Sequence, residues 1–230
     1  MNLFEAIVAA NNRAIAGDTG AGLSLDEFPD ALPVVVLSCI DARLNPLLPE
    51  VLGVPESQFI WLRNAGNVIT GSMSSTMRSL GLACAIKGGR EIAIIGHTDC
   101  LVCKTTVMHL THQLRELRID RSALPENLNE YFGLCASERQ NVLKAVDFVR
   151  CSPLIGPRIP VHGLMVDIQT GRLDWLVNGY QTVERRTTNG TPPALPATRT
   201  SAGLQFPAFN LGEMTFPEGY IGGGPPSGSE

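Results

Sequence analysis

Three apolar runs in the first part of the chain have the pattern of buried β-strands. Residues 34–37, 59–62 and 91–95 run with almost no polar break, as strands of a parallel sheet do when helices cover both faces. Residues 159–178 instead alternate around Gln169-Thr170-Gly171, which predicts an antiparallel hairpin attached to the sheet.

Five segments around these runs are predicted to be helices: residues 2–16, 45–53, 72–87, 101–117 and 137–150. The first has Leu3, Ile7 and Val8 at helical spacing. The third stops at Gly88-Gly89, and the fifth opens on a capping-box pattern at residues 137–140. Strands that alternate with helices predict an α/β domain with a mostly parallel central β-sheet flanked by helices.

Soft metal ligands stand where two of the predicted strands end. Cys39 follows the first strand, and His97 and Cys100 follow the third. Because the carboxyl ends of parallel strands meet at one edge of a sheet, these side chains are expected to converge. Two thiolates and one imidazole suit zinc and leave the fourth tetrahedral position free. The pattern therefore predicts one catalytic Zn²⁺ per subunit.

The same residues resemble the β-class carbonic anhydrases, whose pattern is Cys-x-Asp-x-Arg followed by His-x-x-Cys. Here it reads Cys39-Ile-Asp41-Ala-Arg43 and His97-Thr-Asp-Cys100. Three further stretches fit the family in order: Arg63-Asn64-Ala65-Gly66-Asn67, Ser152-Pro153-Leu154-Ile155, and Val161-His162-Gly163 leading into Asp167-Ile168-Gln169-Thr170-Gly171. The resemblance covers about residues 30–180.

The resemblance implies reversible hydration of carbon dioxide to bicarbonate by a zinc-bound hydroxide. In the family, the position of Asp41 accepts a hydrogen bond from that hydroxide, and the position of Arg43 holds the carboxylate ionised. The aspartate can also occupy the fourth zinc position and inactivate the enzyme, which is a hypothesis for Asp41. The family further implies a homodimer or a larger homo-oligomer whose substrate pocket is lined by both subunits.

One departure from the family concerns the substrate. Many members have a glycine after the second cysteine ligand, whereas this chain has Leu101. Carbonyl sulfide and carbon disulfide hydrolases share the family's fold and ligands, and their more apolar linear substrates would suit a leucine. We expect Leu101 to line the pocket together with Asn64, Ala65 and Gly66.

The remaining histidines have two interpretations each. His109 and His112 fall on the helix predicted after Cys100 and are candidates for a proton relay, although surface histidines on helices are common. His162 is expected to serve the structure of the hairpin.

The remaining cysteines leave other readings open. Cys84, Cys135 and Cys151 are expected to be small core residues. Cys100 and Cys103 form a Cys-x-x-Cys, which also occurs in redox pairs and zinc knuckles; no second such pair completes a structural site. The pattern favours reduced thiols and metal ligands over a disulfide framework. A non-catalytic assembly protein with a structural zinc is the alternative from another functional class.

Composition sets the broader limits. The chain has 230 residues, a formal net charge of −4 and a pI near 5.6, without a basic cluster for nucleic acid. No apolar run approaches the roughly 18 residues of a membrane span, and the N-terminus lacks a basic start, so we expect a cytoplasmic protein whose partners are small-molecule substrates rather than nucleic acid or membrane.

Three regions are predicted along the chain. Residues 1–30 form an N-terminal helix and connecting loop, and residues 31–184 form the zinc-binding α/β catalytic domain. Residues 185–230 hold seven prolines and eight glycines, which predicts an irregular C-terminal extension that packs on a surface or another subunit.

Overall fold

Five strands form one sheet in residues 1–183, the part of the chain that the computed structural model describes. They are β1 (Val34–Cys39), β2 (Phe59–Asn64), β3 (Glu91–His97), β4 (Val161–Val166) and β5 (Leu173–Val177). Their order is β2-β1-β3-β4-β5. The pairs up to β4 are parallel and β5 is antiparallel to β4, which confirms the predicted sheet and its hairpin.

Seven α-helices surround the sheet within this part of the chain: α1 (Leu3–Ile15), α2 (Leu44–Leu52), α3 (Ser75–Ala85), α4 (Leu101–Lys104), α5 (Val107–Glu116), α6 (Leu128–Phe132) and α7 (Glu138–Cys151). The predicted start of α7 is confirmed, and one of the two hydrogen bonds of the predicted capping box is present, because Ser137 Oγ accepts a hydrogen bond from the Gln140 N–H at 3.3 Å. The short helix α6 was not predicted.

The prediction of one helix over residues 101–117 is wrong. The chain forms α4 and α5, with Thr105 and Thr106 extended between them. The side chain of Thr106 accepts a hydrogen bond from the His109 N–H at 3.1 Å and so begins a new helix. A local hydrogen bond from the backbone to a side chain competes with continuation of the helix. The sequence prediction did not take this bond into account.

The core lies on both faces of the sheet, because successive side chains along a strand point to opposite faces. Val34 and Val36 pack into the cluster that includes Phe4 of α1 and Leu48 of α2. Residues 35 and 37 pack into the opposite cluster with side chains of α3 and α7. This double coverage explains why β1 is apolar without interruption.

The order of the strands places the end of β1 beside the end of β3. The chain runs from β1 to β2 on one side and returns to β3 on the other side of β1. In open parallel sheets such a reversal opens a crevice at the carboxyl ends of the two central strands, where ligands bind. Cys39 is the last residue of β1 and His97 is the last residue of β3.

Gly96 in β3 allows α7 to approach the sheet closely. A Cβ atom at Gly96 would overlap Cγ2 of Val142, a fully buried and β-branched residue of α7, and would lie 3.0 Å from Met165 Sδ. We expect Gly96→Ala to lower the free energy of unfolding by about 1–3 kcal/mol through overpacking, as measured by urea denaturation. Gly71→Ala is the matched control, because a Cβ atom there meets no atom of the described part of the chain within 4 Å. Equal stability of the two variants would contradict this packing.

The predicted C-terminal extension, residues 185–230, lies outside the described residues. Within residues 1–183, none of the helices is both long and apolar enough to span a membrane.

Candidate metal centre

The three predicted metal ligands meet at the crevice between β1 and β3. The sulfurs of Cys39 and Cys100 and a ring nitrogen of His97 all lie within 4.8 Å of one another, and all three residues are buried. Ligands of one tetrahedral zinc ion are separated by roughly 4 Å, given bonds of about 2.0–2.3 Å. The distances therefore fit a shared ion.

The imidazole of His97 offers Nε2 to this site. Its Nδ1 lies 2.9 Å from the carbonyl oxygen of Thr98, which can only accept a hydrogen bond, so Nδ1 carries the proton. Nε2 is buried and has no hydrogen-bond partner among residues 1–183. A buried nitrogen with an unused lone pair is costly, and a metal ion would satisfy it, as expected of a histidine ligand oriented through its other nitrogen.

The sulfurs of Cys39 and Cys100 lie within 4.8 Å of each other. Their interaction, together with burial, raises the pKa of Cys39. The same interaction outweighs burial at Cys100 and lowers the pKa of that thiol. The Gly66 N–H also donates to the Cys39 sulfur, at 3.2 Å. A cation that binds both sulfurs releases their protons, and the Gly66 amide remains to stabilise the Cys39 thiolate.

Asp41 and Arg43 form a bidentate ion pair beside the ligands. Arg43 Nε lies 3.0 Å from Asp41 Oδ1, and Nη2 lies 2.6 Å from Oδ2. The backbone N–H of Arg43 also donates to Oδ1 at 3.0 Å. These contacts, led by the guanidinium, lower the pKa of Asp41 to about 2. The second oxygen, Oδ2, lies 4.0 Å from His97 Nε2, so the carboxylate faces the ligand set.

Asp99 was not predicted to belong to the site. It lies between the predicted ligands His97 and Cys100, and its carboxylate accepts hydrogen bonds from Arg43 and from Lys104. Its position inside the His-x-x-Cys motif was the available signal, but sequence spacing alone does not give the partner of such a residue.

Two residues of α7 also support the centre and were missed. Glu138 Oε1 accepts a hydrogen bond from the Cys100 N–H at 3.3 Å. Asn141 is buried and donates to the carbonyl oxygen of Gly66 at 2.7 Å, next to the peptide that contacts Cys39. The capping-box pattern identified the start of α7 and gave no sign that the helix faces the ligands.

The predicted pocket residues lie in the segments next to the ligands. Asn64 ends β2, and its Nδ2 donates to the carbonyl oxygen of Val68 and to Thr76 Oγ1 at 2.8 and 3.0 Å. Ala65 is exposed and Gly66 is buried. Leu101 is 70% exposed at the first position of α4. Contact of these residues with a substrate stays a prediction.

The three histidines outside the ligand set occupy different environments. His109 and His112 are exposed on α5, and their role as a relay stays a prediction. His162 is fully buried in β4, where Nδ1 accepts a hydrogen bond from the Gly179 N–H at 3.1 Å and Nε2 lies 3.3 Å from Glu91 Oε2. These contacts agree with the structural role expected for it.

The expectation that all six cysteines are reduced is wrong for one pair. Cys103 of α4 forms a disulfide with Cys135, and their Cα atoms lie 4.5 Å apart. Cys135 is therefore not a free core thiol, and Cys103 is paired with it rather than with Cys100. The two residues are separated by 32 positions, a contact that their spacing could not reveal.

The disulfide should stabilise the protein. Closing a loop of this length contributes about 3–4 kcal/mol in the chain-entropy model. Without reductant, we expect Cys135→Ser to unfold at a correspondingly lower urea concentration than wild type. Dithiothreitol, which reduces the disulfide of the wild type, should remove this difference. Cys151→Ser, which removes a free cysteine, serves as the control. Identical urea curves for wild type with and without reductant would contradict the pairing.

Comparison with known proteins agrees with this geometry. Residues 34–173 match the family model described as carbonic anhydrase. YtiB of Bacillus subtilis is 31% identical over 160 residues, which are 67% of this chain and 85% of YtiB. The carbon disulfide hydrolase of Saccharolobus solfataricus is 27% identical over 168 residues, which are 65% of this chain and 79% of that protein.

A solved structure agrees in fold. The crystal structure of β-carbonic anhydrase isoform I from Trichomonas vaginalis superimposes with a TM-score of 0.61 at 26% identity, covering 78% of this chain and all of that one. The sheet, the crevice and the Cys-His-Cys cluster thus define a zinc-type centre on a mostly parallel α/β fold. The chain belongs to the β-carbonic anhydrase family.

Proposed function

We propose that the protein catalyses the reversible hydration of carbon dioxide to bicarbonate, with one zinc ion held by Cys39, His97 and Cys100. The observation that carries this proposal is the convergence of two sulfurs and an unpaired imidazole nitrogen beside an ionised carboxylate. Three protein ligands leave one zinc position open. Zinc, when bound, would lower the pKa of water toward neutrality and so supply the nucleophile.

The contacts of Asp41 support a role in orienting that water. Its Oδ1 already accepts two hydrogen bonds, from the backbone and Nε of Arg43. Its Oδ2 accepts one from Arg43 and faces His97 Nε2, so it retains capacity for another donor. Asp41 Oδ2 would accept one hydrogen of the attacking water, which turns the water's lone pair toward the carbon of the substrate.

The proton balance requires an exit path. Hydration adds the oxygen of water to the carbon and releases one proton per bicarbonate. The low pKa of Asp41 makes it a hydrogen-bond acceptor rather than the group that stores this proton. We assign the transfer to solvent or to His109 and His112 on the exposed face of α5.

A second candidate function is hydrolysis of carbonyl sulfide or carbon disulfide. Ile40, which follows Cys39, is 60% exposed, and Leu101 follows Cys100. Two large apolar side chains adjacent to the ligands would favour linear sulfur-containing substrates, whose sulfur atoms are larger and more polarisable than the oxygen atoms of carbon dioxide. The similarity to a carbon disulfide hydrolase is compatible with this alternative.

The same two side chains support a homodimer. Burial of exposed apolar side chains against a second copy of the chain is favourable. The family resemblance also implies a pocket lined by both subunits. Multi-angle light scattering should therefore give at least twice the chain mass of 24.7 kDa. The mass of a single chain would refute this part of the proposal.

The test is to supply each of the three gases to the zinc-loaded protein. Proton release with a pH indicator reports carbon dioxide hydration, and sulfide release reports the other two reactions. We expect hydration of carbon dioxide, with chelator-treated protein as the negative control. Sulfide release without carbon dioxide hydration would establish the alternative, and a switch of preference in Leu101→Gly would assign it to that side chain.

Inactivity toward all three gases would overturn both enzymatic proposals. If removal of zinc also unfolded that inactive protein, the zinc would be structural and the protein an assembly component.

A further inference from the structure

Arg43 is shared between two carboxylates at the metal centre. Nε and Nη2 face Asp41, whereas Nη1 lies 2.7 Å from Asp99 Oδ2 and Nη2 also lies 3.0 Å from the Asp99 carbonyl oxygen. Four of the five guanidinium N–H groups are thus directed at these two residues. The side chain joins the end of β1 to the turn after β3.

The backbone presents Asp99 to Arg43. Asp99 has a φ of 59°, in the left-handed region that aspartate tolerates better than most residues. Asp99 lies in the turn between His97 and Cys100. The positions of these two residues on either side therefore restrict the backbone of Asp99. Lys104 of α4 occupies the other carboxylate oxygen, Oδ1.

The bidentate contact with Asp41 orients the two side chains relative to each other, but it does not fix the pair to the rest of the site. The Arg43 side chain is 46% exposed, so water competes for its remaining N–H groups. A second anchor on the opposite side of a planar guanidinium restricts its rotation, because both carboxylates must be matched at once. A restricted guanidinium also restricts the rotation of the Asp41 carboxylate, because both of its oxygens accept hydrogen bonds from Arg43.

We propose that Asp99 is a positioning residue that holds Arg43 and thereby aims Asp41 Oδ2 at the substrate side of the metal centre. Its role in turnover rests on the proposed function, whereas its hold on Arg43 does not. Lys104 assists by fixing the Asp99 carboxylate against α4. An Arg43 released from Asp99 would let Asp41 rotate away from the orientation that lies 4.0 Å from His97 Nε2.

The first test removes the Asp99 carboxylate without straining the turn. Glycine adopts positive φ freely, so Asp99→Gly deletes the side-chain contacts and keeps the backbone conformation. We expect kcat/KM to fall about 10-fold at unchanged zinc content, as for other groups that orient a metal site from outside the ligand set. Asp99→Asn, which keeps an acceptor oxygen, should restore part of the loss. Asp147→Asn, at an exposed carboxylate of α7, should match wild type.

A double-mutant cycle separates positioning from general damage to the turn. If Asp99 acts through Asp41, Asp99→Gly should reduce kcat/KM by less than about 2-fold in an Asp41→Asn background, because coupled residues are not additive. A full 10-fold loss in that background would overturn the inference.

A readout that needs no turnover follows Arg43 directly. In zinc-loaded, ¹⁵N-labelled protein, the Arg43 Nε–H resonance is assigned from its absence in Arg43→Lys. We expect slow exchange with water in wild type and in Asp147→Asn, and at least about 10-fold faster exchange in Asp99→Gly. Unchanged exchange would overturn the inference even in an active enzyme. If exchange is faster in Asp99→Gly but the wild-type protein turns over none of the three gases, the proposed function is wrong and the positioning of Arg43 by Asp99 still holds.

Discussion

Cys100→Ser is expected to abolish zinc binding at stoichiometric concentration and to lower carbon dioxide hydration by about 1000-fold or more. A serine hydroxyl is a hard and weakly acidic ligand, whereas zinc prefers the thiolate. Metal-assisted activation of water supplies several kcal/mol of transition-state stabilisation, and about 4 kcal/mol corresponds to three orders of magnitude in rate. Zinc content by mass spectrometry and stopped-flow hydration measure the two effects.

Cys84→Ser is the matched control for this experiment. Cys84 is a free, half-buried cysteine on α3 and is not part of the Cys39, His97 and Cys100 cluster. It should retain zinc and rate within about 2-fold of wild type. A Cys100→Ser protein that keeps one zinc ion per chain and full activity would exclude the proposed ligand set.

Asp41→Asn is expected to lower kcat/KM by about 10- to 100-fold while zinc remains bound, the range found for residues that orient a metal site from outside the ligands. One side of the amide is an NH₂ group, which cannot accept hydrogen bonds from Arg43 and from water as a carboxylate oxygen does. The variant therefore loses the ionised acceptor that lies beside His97 Nε2. Parallel measurement of zinc content and of hydration separates this effect from loss of the metal.

The Asp147→Asn protein controls for the loss of one negative charge, since Asp147 lies on the exposed surface of α7. A rate for Asp41→Asn equal to that of this control would show that Asp41 takes no part in orienting water. Loss of zinc from Asp41→Asn alone would instead make Asp41 a contributor to metal binding.

The strands and the metal ligands were predictable because both are local signals. The first three strands are apolar runs, and the ends of β1 and β3 are marked by the predicted ligands Cys39 and His97. The family motifs added the pairing of Asp41 with Arg43, which the structure places at hydrogen-bond distance. Function beyond the family stays a proposal, since the similar proteins include both carbonic anhydrases and carbon disulfide hydrolases.

The parts that were missed depend on contacts between distant segments. A single helix was predicted after Cys100, and the side chain of Thr106 instead starts a second one. The disulfide joins Cys103 to a loop whose path only the folded chain defines. Asp99 gained its partners because the turn after β3 approaches Arg43.

The sequence by itself determined the α/β architecture, the three candidate metal ligands and the family, because hydrophobic period and ligand chemistry are properties of short segments. Only the tertiary structure decided that His97 presents an unpaired Nε2, that Arg43 is held between Asp41 and Asp99, and that α7 supports the peptide beside Cys39. Those features arise where the ends of β1 and β3 meet. A hydrogen bond between segments tens of residues apart produces no periodic pattern in the sequence, so the sequence does not predict it.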